Sequence, residues 1–567
     1  MATLYVASTG TDNTVANGYG YPTGTNNGPM ATVDYAYNQA SSGDTIELED
    51  NITITGQWEV DRAGVNIIVK GGGTSRKTFT TTAANVNTQF IEIKDGATNS
   101  NLTLQNLNLV GAGIGTLVFS HANCTGNITI DNCQVGASAS GGSYDSALFI
   151  DGCGDLTITD STILAHADEG AIKLKGTIGK FIIRNSAIGN STSSSTDSGA
   201  VAINLSVSST TCVLTSVVIE DSTIQHAKRC FVASSVDGTS RQVTCPAFRF
   251  YNTKFIGSAA TNSSLVSLGI EVGAGITDWA LEAEYTKGQI LENDGQVYDC
   301  LTNNTADADN EPGTGVDWRA YWELHRAARV TMENCVIQSV AAGTNHNVLL
   351  GFGIYDSLIS GCVSIGATGA GAYGFVCKGE ANRILNSVFT GSNALAVYAG
   401  SFYTIENNTC ISSTSTAGMV IGDQAGYWST NNTIRNNVIV NTSTGVCLSF
   451  DADASDRGHL VDYNCYYRTA GGDTHNLYNQ NRTLAEAQGD WATGSTLYGT
   501  TNDQNSISVN PNLDSNYRAS SSALKNAGSP LLIKSDGTVL LRNDIGATKF
   551  EGSSRRGIFG GGGLFGN

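Results

Sequence analysis

Eleven times along the 567-residue chain a short apolar strand runs into an asparagine, an aspartate or, once, a glycine. The runs end at Asn106, Asn132, Asp160, Asn185, Asp221, Asn252, Asn334, Gly361, Asn386, Asn407 and Asn436, and all steps but one span 21 to 36 residues. Three residues after most of these landmarks stands another large apolar side chain: Leu109, Val135, Ile163, Ile188, Ile224, Phe255, Ile337, Phe389, Ile439. A unit this small cannot bury an apolar face by itself, so a repeat of this period requires each unit to stack on its neighbours as a solenoid.

The local pattern makes the units strands. Ile128 and Ile130 alternate with Thr129 and Asp131, which puts one set of side chains inward and the other outward. The landmark asparagine supplies a bend, because its short polar side chain tolerates left-handed backbone angles. Stacked asparagines are also able to bond one another in a ladder. A second strand follows in many units: Ala147–Ile150, Ala171–Leu174, Ala200–Ile203, Cys230–Val232, Leu395–Val397 and Met419–Ile421. Two or three strands per coil predict an all-β parallel β-helix. The regular leucine pattern of leucine-rich repeats is missing. Gly 66 against Pro 6, with 14% charged residues, suits turns and exposed strand faces rather than helices. One elongated body is expected, since a solenoid grows by adding coils.

The formal charge of −19 argues against a nucleic-acid-binding surface, and no apolar run reaches membrane-spanning length. The opening Met1–Ser8 has none of the marks of a signal peptide. Thirteen cysteines cannot all pair within the chain. Cys133, Cys335 and Cys362 directly follow landmarks and read as small buried hydrophobes in a protein made in a reducing cytoplasm. Leu4–Asp12, Gly28–Val33 and Ser42–Leu48 resemble the opening of right-handed β-helix proteins of the pectate-lyase-like superfamily. In that superfamily a short helix, here about Val33 to Ala40, caps the first coil. Asn505–Pro511, Ala527–Leu531 and Asp544–Ala547 are similar to the closing coils of the same group. The resemblance implies the fold; the superfamily includes lyases, hydrolases, epimerases, phage tailspikes and non-catalytic surface proteins.

Between Asn252 and Asn334 the step lengthens to 82 residues, so roughly 50 are inserted relative to a neighbouring step. The insertion, Asp278 to Leu324, holds three of the six tryptophans. Trp279, Tyr285-Thr-Lys-Gly288, Gly295-Gln-Val-Tyr298 and Trp318-Arg-Ala-Tyr-Trp322 stand in an order similar to small chitin-binding-type carbohydrate-binding modules. Trp279, Tyr285, Trp318, Tyr321 and Trp322 are therefore candidate sugar contacts, since a flat apolar sugar face stacks on a ring. The alternative is that these aromatics form the core of so short a segment. Thr302–Asp307 replaces the paired exposed aromatics that such modules commonly carry.

One polar file precedes the second strands: Asp145, Asp168 with Glu169, Asp197 and, a coil later, Lys228, with His226 nearby. Strands stacked ~4.8 Å apart would set successive carboxylates ~5 Å and alternate ones ~10 Å apart, separations that bracket those of paired glycosidase carboxylates. Crowding would raise one pKa and create a proton donor. Lys228 or His226 would alternatively serve a lyase as base. The competing reading is structural, with aspartates fixing turns and Lys228 neutralising Asp197. His121-Ala-Asn-Cys124 reads as a turn rather than a metal motif, and the acidic loop Asp451–Asp456 lacks an EF-hand pattern. Neither a metal nor another cofactor is expected.

The expected organisation is an opening segment and cap (1–50), a first β-helical part (51–275), the inserted module (276–325), a second β-helical part with closing coils (326–550) and a glycine-rich tail (551–567). In the tail Ile558, Phe559, Leu564 and Phe565 read as apolar anchors for docking to another subunit. The expectation is a phage-type virion protein (tailspike, fibre or decoration subunit), assembled in the host cytoplasm, that recognises host-surface or environmental polysaccharide and is a candidate depolymerase. A trimer is implied by the likeness to tailspikes. The alternatives are a secreted bacterial polysaccharide lyase or hydrolase and a non-catalytic adhesion protein.

Overall fold

The computed structural model describes residues 2–12, 29–82, 89–111, 116–136, 146–165, 170–189, 201–205, 211–226, 229–235, 243–257, 264–270, 277–287, 289–293, 296–312, 315–324, 326, 328–339, 346–367, 372–422, 429–450, 458–477, 480–492, 502–525, 527–533, 539–542 and 545–546. Among them three long sheets, of 16, 15 and 14 strands, run side by side through the chain, and successive coils contribute one strand to each. Pairing from coil to coil is parallel, with one antiparallel strand, Gln480–Arg482, closing the third sheet: Leu102–Gln105 pairs Ile128–Asp131, which pairs Leu156–Thr159, apolar residue against apolar residue. This is a parallel β-helix with three strands per coil. The landmark strands form the first sheet. The apolar residues that follow the landmarks lie in the second, and the second strands read from sequence form the third.

The bend is where the sequence places it. Asn106, Asn132, Asp160, Asn185, Asp221, Asn252, Asn334, Asn386, Asn407 and Asn436 all have φ between 47° and 58°, and Gly361 has 63°. Residues with short polar side chains, or glycine, reach this left-handed region at least cost. At Gly361 a Cβ would also stand 2.6 Å from Asn334 Oδ1, which accounts for glycine in this coil. A twelfth landmark, Tyr463 at φ 57°, escapes the pattern because a tyrosine fills it.

The ladder lies one residue further on than expected. Landmark side chains bond each other only locally, as Asn132 Nδ2 does to Asn106 Oδ1 (3.3 Å) and Asn252 Nδ2 to Asp221 Oδ1 (3.0 Å). The residue after each landmark points inward, and there the bonds run from coil to coil. The Cys133 amide donates to Ser161 Oγ (3.0 Å), that of Ser161 to Ser186 Oγ (3.1 Å) and that of Ser186 to Ser222 Oγ (3.1 Å). In the later coils asparagine replaces serine: the amides of Asn408 and Asn437 donate to Asn437 Oδ1 and Asn464 Oδ1, both at 3.0 Å. Burial is affordable here because every side chain in the file also meets a partner.

Inside the three sheets runs one continuous apolar core, from Leu4 and Val6 to Tyr466 and Leu477. The helix Val33–Gln39 caps its start, with Thr32 Oγ1 accepting from the Tyr35 amide. All thirteen cysteines are buried and unpaired, as small core residues. The insertion leaves the third sheet after Val266–Ile270 and returns to the first at Arg329–Glu333. It builds its own small sheets and a separate core of Tyr285, Leu291, Tyr298, Cys300, Ala306 and Trp322. The coils on either side pair directly: Ala247–Tyr251 with Arg329–Glu333, and Lys254–Gly257 with Val336–Ser339. The tail 551–567 lies outside the described residues.

Candidate glycan-binding face on the third sheet

Strand alternation sends every second residue of the third sheet outward, and parallel register aligns these residues in columns along the helix axis. In the early coils one column reads Glu59, Glu92, Phe119, Phe149, Lys173, Asn204. Two residues along each strand, a second column reads Lys94, His121, Asp151, Lys175, held in step by backbone bonds such as His121 N to Ile93 O (3.1 Å) and Asp151 N to Ser120 O (3.1 Å). The two columns interlock. Phe119 and Phe149 stack with centroids 5.3 Å apart and planes 25° apart. The Lys175 ammonium sits 5.2 Å from the Phe149 centroid and 2.6 Å from Asp151 Oδ2. The imidazole of His121 stands edge-on to Phe119 at 4.9 Å and its Nε2 bonds Glu92 Oε1 at 2.7 Å. The other Glu92 oxygen receives Lys94 Nζ at 2.6 Å, and Lys94 also reaches Glu59 at 3.2 Å.

Burial is graded across this cluster. The Glu92 side chain is 8% exposed, whereas that of His121 is 34% exposed. The carboxylate is thus an anchor and the imidazole faces solvent. Its hydrogen bond with Glu92 raises the Lys94 pKa, so this ammonium stays charged. The Glu59 carboxyl is held below its ordinary value, first by the Gln57 amide and then by Lys94. Two half-exposed phenyl rings flanked by fixed charges and a carboxylate-bound imidazole offer an apolar platform for a sugar face, with hydrogen-bonding groups at its rim. The Glu92–His121 pair is also the arrangement in which a carboxylate orients a general acid or base.

Of the sequence-read catalytic file, Asp145, Asp168, Glu169, Asp197 and Lys228 lie outside the described residues. The strands they lead into are stacked in register: Ser146 against Gly170, Ile172 against Ile203, Val201 against Arg229. His226 alternates inward with Ile224 and is fully buried. In the insertion Tyr285 and Trp322 are core residues, their rings edge to face at 5.2 Å, and Trp322 Nε1 donates to Asn310 O (2.8 Å). Trp279 and Tyr321 are half-buried against that core. Trp318 begins a helical turn, Trp318–Tyr321. Sequence reading missed the Phe119–Phe149 platform and the Glu92–His121 pair. The available signal was aromatic residues at equivalent positions of consecutive second strands.

Coils, sheets and outer columns together define a parallel β-helix protein. No protein-family model matches the chain, and no curated protein sequence matches it. Among solved structures it is similar to tailspike protein 3 of bacteriophage CBA120, at 10% identity over 84% of this chain and 59% of that one, TM-score 0.38. The Dettilon tailspike protein is similar at 10% identity over 84% and 64%, TM-score 0.33. Pectate lyase Pel9A is similar at 13% identity over 97% of both chains, TM-score 0.27. The chain thus spans about six-tenths of the length of those two tailspike chains.

Proposed function

We propose that this protein is a β-helical glycan-recognition protein of the phage-virion type, a tailspike, fibre or decoration subunit, and that it holds polysaccharide against the outer face of its third sheet. The observation that carries the reading is the stacked, half-exposed Phe119–Phe149 pair with Glu92, His121 and Lys175 fixed around it. A rigid sheet presents this platform without loop ordering, which favours binding of an extended chain. Thirteen buried, unpaired thiols fit assembly in a reducing compartment. Assembly as a trimer and docking through the glycine-rich tail belong to the same reading.

A second reading, depolymerisation, is favoured by the carboxylate-bound His121 beside the platform and by the acidic residues that in sequence precede strands of the same sheet. One experiment addresses both. Capsular polysaccharide, lipopolysaccharide, alginate and polygalacturonate are each incubated with the protein. Retention is read by affinity electrophoresis, and cleavage by new reducing ends or unsaturated-sugar absorbance. Retention of at least one glycan, lost in F119A/F149A, supports recognition; retention of none by the wild type defeats it. Cleavage lost in H121A, D168N or E169Q, with retention kept, supports the enzyme; retention without cleavage on all four defeats that second reading.

A further inference from the structure

The third sheet carries a second aromatic site, far along the helix axis and different in chemistry. Where the strands Tyr373–Glu380, Asn393–Ser401 and Met419–Gly422 begin, a cavity of about 490 Å³ opens, within the range that holds small ligands. Tyr373 and Tyr398 form its aromatic corner, with ring centroids 5.7 Å apart at 86° and hydroxyls 2.5 Å apart. Asn393, Thr416, Asn476 and Asn481 line the remainder. Asn476 Oδ1 is buried and has no hydrogen-bond partner among the described residues. An orphaned acceptor of this kind is costly unless a ligand donor meets it.

We infer that this cavity is a second glycan subsite, selective for a neutral oligosaccharide, in which Tyr373 and Tyr398 contact a sugar ring and Asn476 accepts a sugar hydroxyl. The inference rests on the protein's being a glycan binder. Neutrality follows from the lining, which among the described residues contains no Asp, Glu, Lys, Arg or His, so a carboxylated sugar would lose hydration without gaining a counter-charge. A second copy of the chain is the poorer occupant. The nearby outward apolar residues Leu349, Val376, Ala396 and Val420 are already buried, with Tyr373, Tyr398 and Val446 packed against them. Six strand steps separate Phe149 from Tyr373 and seven separate it from Tyr398, roughly 29 to 34 Å at ~4.8 Å each. The two sites would therefore grip separate stretches of one long chain, or two chains, and raise avidity.

The test is calorimetric titration of the full chain with cellohexaose, maltohexaose and chitohexaose, beside polygalacturonate as the charged probe. The expected result is that at least one neutral hexasaccharide binds and that Y398A and N476A each weaken it tenfold or more. Y373F/Y398F keeps both rings, guards against misfolding, and should weaken binding by a smaller factor. Unchanged affinity in Y398A and N476A, or no hexasaccharide binding while F119A/F149A still abolishes polysaccharide retention, overturns the second subsite and leaves the first standing. A shift of Y398A to a smaller species in sedimentation would also overturn it, by making the cavity an interface between copies.

Discussion

Asn437→Ala tests the inner ladder at its most connected rung. Asn437 is fully buried. Its Oδ1 accepts from the Asn408 amide at 3.0 Å and from Asn408 Nδ2 at 3.1 Å, and its Nδ2 donates to Ile405 O at 2.9 Å and Asn464 Oδ1 at 3.1 Å. In the alanine variant Asn408 Nδ2 still has Ile384 O, and Asn464 Oδ1 still has the Asn437 amide. The Asn408 amide and the Ile405 carbonyl lose these partners. At ~1–3 kcal/mol for each buried polar group left unsatisfied, the expected loss for the two is about 2–6 kcal/mol. Equilibrium urea unfolding should show it as a lower midpoint, with coils near residue 437 exchanging amide hydrogen faster than those near residue 130. A loss below about 1 kcal/mol would refute the ladder as a structural element and leave it as mere filling.

The exposed landmark Asn185, at φ 47°, gives a smaller and graded series: Asn185→Ala should cost about 1 kcal/mol and Asn185→Gly almost none, and equal losses in the two would contradict the left-handed bend. Burial pushes the thiols of Cys133 up to about 11 and of Cys212 and Cys230 up to about 12, from an ordinary 9.0. Raised native pKa values mean that stability is complete below pH 9 and falls as pH rises from 9 towards 12; a urea midpoint constant to pH 11 would contradict this. Native protein at pH 8 should resist thiol labelling, and urea-unfolded protein should expose thirteen reactive thiols. Replacing residues 278–324 by a short loop should leave the coils intact, because the flanking strands already pair; a molten product in near-UV circular dichroism would show that the insertion is part of the coil.

The fold was legible because two constraints repeat in the sequence. Inward alternation, as in Ile128 and Ile130, and a left-handed corner, as at Asn132, each recur with the coil period and leave few alternative structures. Where the corner was filled by Tyr463 the pattern went unseen, since only backbone geometry marks it. The helix Leu484–Ala492 was missed although Thr483 and Glu486 form a capping box: the Glu486 amide donates to Thr483 Oγ1 (3.3 Å), and the Thr483 amide to Glu486 Oε2 (2.8 Å).

The site was less legible, for a physical reason. Outward columns are assembled from residues 24 to 33 positions apart, such as Glu59, Glu92, Phe119, Phe149 and Lys173, and their identity depends on strand register to the residue. Acidic residues beside strands attract attention in a sequence, whereas Phe119 reads as one more apolar strand residue. Only stacking shows that it shares a column with Phe149 and borders His121. In the insertion, Tyr285 and Trp322 are core residues because a segment this small needs large side chains to enclose any core at all.

The central claim is that sugar rings lie on the Phe119–Phe149 stack. Its most direct test is the equilibrium affinity of wild type, F119A, F149A and the double variant for whichever polysaccharide the wild type retains. Removing each ring should cost about 1–1.5 kcal/mol, roughly tenfold in affinity, and the double variant roughly a hundredfold. A double variant that folds normally and binds as tightly as wild type would contradict the account.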